Sequence, residues 1–202
     1  RHAGVHGNTS VKERAPAPLA VAKRNGLPLG RAPRPVCLKG EIPAPPRVMS
    51  VIGELDRVTG GGFVPGAAVL IGGDPGIGKS TLLLQALAAL GSKGEKVVYV
   101  TGEEAIAQIR LRAARLDLAD APVLLAAETN VSDILATLSE GDVPSVVVID
   151  SVQTLWSPVI DAAPGSVSQL KAGSEALVRF AKSRGCTVLL VGHVTKDGQI
   201  AG

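Results

Sequence analysis

From Val48 onward, short apolar runs rich in β-branched residues alternate with longer stretches whose apolar positions recur at helical spacing. The runs Val69–Ile71, Val97–Val100, Val123–Ala126, Val146–Ile149 and Thr187–Val191 predict five strands. Between them, Lys79–Leu90, Glu104–Leu116, Val131–Ser139 and Val167–Ser183 predict helices. Runs that are apolar throughout, rather than alternating, belong to strands covered on both faces. A repeating strand–helix order builds βαβ units, so the fold class is α/β: a mostly parallel sheet flanked by helices. Ligands of such sheets gather beyond the carboxyl ends of the strands. Every motif discussed below falls at such an end.

Residues 1–47 have no sustained apolar period and hold eight of the chain's 14 prolines. They read as a disordered, basic, proline-rich tail or linker ahead of a folded domain over 48–202. An arm that touches nucleic-acid phosphate is the functional alternative for the tail. Composition changes the picture in three ways. The tail carries nine Lys/Arg against two acids, so the formal net charge of +3 comes from the tail and the body is acidic. A basic net charge is therefore no sign of a basic binding face on the body. Trp156, Tyr99, Phe63 and Phe180 are the only aromatics, which excludes an extended stacking platform for bases or sugars. The two cysteines, Cys37 and Cys186, are far apart and outside any Cys-x-x-Cys pair, so neither a zinc site nor a disulfide framework is expected. With no long apolar span, a cytoplasmic setting without membrane contact is the expectation. The Arg-His start reads as the beginning of a fragment rather than of a targeting sequence.

Gly73-Asp74-Pro75-Gly76-Ile77-Gly78-Lys79-Ser80-Thr81 fits G-x-x-x-x-G-K-[ST] between a strand and a helix. Glycines let main-chain N–H groups turn inward around phosphate oxygens, and the helix that follows points its positive end at the same place. Lys79 is placed to reach the β- and γ-phosphates of ATP, and the Ser80 hydroxyl to ligate Mg²⁺. Val146–Ile149 runs into Asp150, the pattern in which a buried strand delivers a carboxylate beside that cation. The strand ending at Val100-Thr101-Gly102 leads to Glu103 and Glu104. Either acid is a candidate general base for an attacking water, and either is a candidate for capping the next helix. His193, at the end of the fifth strand, is a candidate phosphate sensor or a structural histidine. The long connection Trp156–Ser168 is a candidate functional or mobile loop, its tryptophan a core anchor or an exposed contact.

Several strings extend these motifs: Gly53-Glu54-Leu55-Asp56-Arg57-Val58, Gly60-Gly61-Gly62, Thr101-Gly102-Glu103-Glu104, Glu128-Thr129-Asn130, Ile149-Asp150-Ser151-Val152-Gln153-Thr154, Pro164-Gly165-Ser166-Val167-Ser168-Gln169 and Gly192-His193-Val194-Thr195-Lys196-Asp197-Gly198. In this order they resemble the RadA (Sms) family of bacterial RecA-like DNA repair ATPases, over about Val51 to Gly202. The resemblance implies a RecA-like P-loop core that binds ATP and Mg²⁺ through Gly73–Thr81, with Ser80 and Asp150 at the metal. It implies Glu103 as the catalytic carboxylate, with Glu104 second, and Gln153 and His193 as links between nucleotide state and the loops. It further implies a DNA-dependent ATPase in recombinational repair and branch migration, built as a homo-hexameric ring. DNA, single-stranded or branched, would approach loops near Ser166–Gln169 and after Lys196, with Lys196 and Lys171 as contact candidates. A recombinase is a further expected partner.

Departures from that family are equally legible. The chain has no four-Cys zinc finger, no Lys-Asn-Arg-Phe-Gly motif and no Lon-protease-like domain, so it reads as a C-terminally incomplete ATPase domain without zinc. Ala105 stands where the family usually has Ser, and Gly173 where it has a charged helix residue. Two rival readings remain: an adaptor that binds ATP without significant turnover, and another RecA-like ATPase such as a replicative helicase.

Overall fold

The computed structural model describes residues 46–193. The tail up to Ala44 and Pro45, Cys37 within it, and Lys196 lie outside the described residues. Five strands form one all-parallel sheet: β1 Ala68–Gly73, β2 Val97–Thr101, β3 Val123–Ala127, β4 Val146–Asp150 and β5 Thr187–His193. Their order is β1-β5-β4-β2-β3. The helices are α1 Gly53–Val58, α2 Lys79–Ser92, α3 Ile106–Arg115, α4 Val131–Ser139 and α5 Val167–Arg184, with a 3-10 turn at Val152–Thr154. Neither α1 nor the 3-10 turn follows from apolar periodicity, because both are too short to show one.

Alternate residues of each central strand face opposite layers. Val98, Val100, Val147, Ile149, Val188 and Leu190 pack under α4 and α5. Val97, Tyr99, Val146, Val148, Leu189 and Val191 pack under α2, α3 and α1. β2 and β4 are buried along their whole length, as their unbroken apolar runs require. The edges are thinner: Leu70 on β1 and Leu124 on β3 are each about half exposed. Cys186 is buried immediately before β5, and burial pushes its thiol up to about 12, so it stays protonated and unreactive.

Helix ends have local causes. Asn130 Oδ1 accepts from Ser132 N at 3.0 Å to start α4. Ser166 caps α5, and Gly185 ends it in the left-handed conformation at φ 70°. α3 begins later than the apolar spacing predicts, because the Thr101 hydroxyl holds the approach in a turn. Thr101 Oγ1 donates to Glu104 O at 2.9 Å and accepts from Glu104 N at 3.0 Å. Ala105 therefore becomes the N-cap, with no side-chain acceptor of its own, and Gln108 Oε1 reaches back to its N–H at 3.1 Å. Gly173 also finds its reason. A mid-helix glycine costs about 1 kcal/mol against alanine, yet a Cβ here would stand 3.2 Å from Val131 Cγ2 and 3.4 Å from Leu155. Its absence lets α5 settle against the start of α4 and the turn after β4.

The connection from Trp156 to Ser166 is held from within. Gln169 is buried on α5; its Oε1 accepts from Ser157 N at 2.7 Å, and its Nε2 donates to Ser157 O, Ile160 O and Ala162 O at 3.2, 3.0 and 2.9 Å. One side chain thus satisfies four main-chain groups of the loop. Trp156 is half-buried and pairs by its main chain with Thr129 and Val131. No helix among the described residues is long and apolar enough to cross a membrane.

Candidate functional site

Parallel register brings the carboxyl ends of the strands level. Gly73 pairs with His193, Asp150 with Val191, and Thr101 with Asp150. The motif residues, scattered from 73 to 193 in sequence, therefore share one end of the sheet.

The glycine-rich loop leaves β1 and turns directly into α2. Gly76 and Gly78 have φ of 80° and 96°, a region that disfavours any side chain. This backbone aims the loop's N–H groups and the start of α2 at a common point. The loop residues Asp74 to Gly78 are exposed, whereas Lys79 is buried. Its Nζ donates to Gly73 O and Asp74 O, each at 2.8 Å. The ammonium thereby braces the loop it follows and keeps one proton for another acceptor. Ser80 and Thr81 are half-buried in the first turn of α2.

Beside that turn lies Tyr99, a residue whose place in an apolar strand reads simply as core. Its ring is buried, and its hydroxyl donates to Asp150 Oδ2. Burial, then the Asp150 charge and that hydrogen bond, push its pKa far above the ordinary phenol range, so the group remains a donor. Ser80, at the start of α2, and Asp150, at the end of β4, are the pair predicted from separate motifs. Their donor set is a hydroxyl and a carboxylate oxygen, which suits a hard cation such as Mg²⁺. Among the described residues no group of three or more His, Cys, Asp or Glu is gathered as a metal centre. A cation held by one carboxylate and completed by substrate phosphates needs none.

The two neighbouring acids part company. Glu103 faces the strand ends: its Oε1 accepts from Ser151 Oγ and lies 3.2 Å from His193 Nε2. Glu104 turns the other way into an ion pair with Arg112 of α3. Neither caps α3, whose N-cap is Ala105. Gln153, in the 3-10 turn, donates from Nε2 to His193 O at 3.2 Å, so it joins the same cluster through the main chain. Gln153 Oε1 and His193 Nδ1 are buried without a hydrogen-bond partner among the described residues. Lys171 joins none of these contacts. It is exposed on α5 in a shallow groove with Arg179 and Lys182. A cavity of about 620 Å³ between α2, α3 and β3 contains none of the motif residues.

Gly102 sets the position of Glu103. Its N–H donates to Asp150 O at 2.8 Å, and a Cβ there would fall 1.9 Å from Thr154 Oγ1, itself donating to Ser151 O at 2.8 Å. Gly102→Ala is expected to cost about 1–3 kcal/mol, as forced overpacking does. A urea titration of the variant beside the parent chain checks this; equal midpoints would remove the proposed steric limit.

Comparison with known proteins follows the same geometry. A protein-family model described as AAA domain matches residues 45–199. The DNA repair protein RadA of Brucella abortus (strain 2308) is 61% identical over 177 residues, which is 86% of this chain and 38% of that protein. The RadA protein of Bacillus subtilis (strain 168) is 44% identical over 198 residues, covering 96% of this chain and 43% of its own length. The chain thus spans less than half the length of these curated relatives. A solved structure, the ATPase domain of G40P, superposes with a TM-score of 0.61 at 18% identity, over 74% of this chain and 64% of that one. That likeness shows a shared fold. The chain belongs to the AAA domain family and, over most of its length, is similar to the DNA repair proteins RadA.

Proposed function

We propose that this chain is the nucleotide-hydrolysing part of a DNA-dependent ATPase of recombinational repair and branch migration. The observation that supports this most is the convergence of the Gly73–Thr81 loop, Asp150 and Glu103 at one sheet end, in a chain 61% identical to a RadA protein. In this reading the loop N–H groups and Lys79 hold the phosphates of ATP. Ser80 and Asp150 hold Mg²⁺, which when bound neutralises charge developing on the phosphates. Glu103 orients a water and accepts its proton. Both contacts to Glu103 fall on Oε1, which leaves Oε2 for that water. His193 and Gln153 sense what happens at Glu103 and pass it to the turn after β4 and the segment after β5. Glu104, engaged with Arg112, supports α3 and serves only as second choice for the base.

DNA, single-stranded or branched, is the proposed polymer partner, with Lys196 and Lys171 as contacts, and a homo-hexameric ring with a recombinase partner completes the proposal. The free, buried Cys186 is in keeping with a cytoplasmic setting. Phosphate release is measured at saturating ATP and Mg²⁺ with and without single-stranded DNA. Severalfold stimulation is the expected result. Hydrolysis without stimulation would remove DNA as the regulator, and tight ATP binding without hydrolysis would leave the adaptor reading in its place.

A further inference from the structure

Tyr99 has no assigned part in any of this, yet its hydroxyl bonds one of the two proposed cation ligands. We infer that Tyr99 is a positioning residue for the metal: its hydroxyl locks Asp150 Oδ2, so that the other carboxylate oxygen is held in one direction for the cation. This rests on the reading of Ser80 and Asp150 as cation ligands.

Asp150 is buried at the end of a rigid central strand, where a carboxylate is costly unless hydrogen-bonded. The Tyr99 hydroxyl supplies that donor to Oδ2, while the main-chain carbonyl of Asp150 separately accepts from Gly102 N–H. The ring cannot swing away, because Tyr99 is 1% exposed and packed in the layer under α2 and α3. Finally, a donor that occupies one carboxylate oxygen leaves the other with a defined direction. Outer groups that orient ligands in this way raise metal affinity.

Tyr99 is the only tyrosine of the chain, which makes the test clean. Mn²⁺ binding is titrated by electron paramagnetic resonance in the presence of a non-hydrolysable ATP analogue, in the parent chain, Tyr99→Phe and Asp150→Asn. Analogue binding is also measured without metal. Tyr99→Phe is expected to weaken Mn²⁺ by about tenfold, the lower end of the effect of losing such an orienting group, with metal-free nucleotide affinity unchanged. If Asp150→Asn weakens Mn²⁺ and Tyr99→Phe does not, the Tyr99 inference falls alone. If Asp150→Asn has no effect either, the cation reading itself fails. Equal losses with and without metal would make Tyr99 merely structural. A measurement free of any substitution uses ring-labelled tyrosine: its single set of resonances should shift when Mg²⁺ joins the bound analogue, and no shift would overturn the inference.

Discussion

Glu103→Gln is expected to slow ATP hydrolysis by about a hundredfold or more, the scale on which a positioned general base contributes, while ATP affinity changes little. The reason lies in what the amide keeps and what it loses. Glutamine has the same length and can still accept from Ser151 Oγ through its carbonyl oxygen. It cannot take a proton from water. The loss therefore falls on the transition state, and kcat drops with little change in nucleotide binding. The check is single-turnover hydrolysis beside calorimetric titration with ATP. Full activity would pass the role to another group. Glu104 is the poorer replacement, since its carboxylate is already neutralised by Arg112.

Lys79→Ala is expected to weaken ATP by about ten- to a hundredfold, the equivalent of losing one charge-assisted hydrogen bond of about 1.5–3 kcal/mol. Two losses act together. The ammonium no longer meets phosphate, and the Gly73 and Asp74 carbonyls lose the donor that braces the loop. Nucleotide should consequently protect the fold less. A ligand at a hundred times its dissociation constant adds about 2.7 kcal/mol to stability, and a variant weakened ten- to a hundredfold should keep only about 0.4–1.4 kcal/mol of that at the same concentration. Thermal midpoints with and without ATP read this directly. An unchanged shift would mean that the glycine-rich loop is not where nucleotide binds.

These two residues differ in how visible they were beforehand. Lys79 belongs to nine consecutive residues whose glycines, strand and helix are all local, so the loop's geometry follows from contiguous text. The layered α/β order was legible for a similar reason. Uniform apolar runs such as Val146–Ile149 announce a strand buried on both faces, and β4 is that strand. Glu103 and Glu104 were indistinguishable as two acids after a strand, one for catalysis and one for a cap. The structure removes the cap altogether and separates them by their partners. Ser151 and His193 lie 48 and 90 residues from Glu103, whereas Arg112 is eight residues beyond Glu104. The loop from Trp156 looked mobile by length, but a buried glutamine on the next helix holds it.

By itself the sequence determined the fold class and the place of the glycine-rich loop between a strand and a helix, because each depends on neighbours within a turn or a strand. Only the tertiary structure decided which groups meet. Tyr99 shows the reason: it is 51 residues from Asp150, and nothing in an apolar strand marks one ring as touching a carboxylate. The pairing of β2 with β4 places Thr101 beside Asp150 and brings the Tyr99 side chain beneath that carboxylate. That pairing is a property of how the layers bury their apolar faces together, which no local stretch of the chain contains.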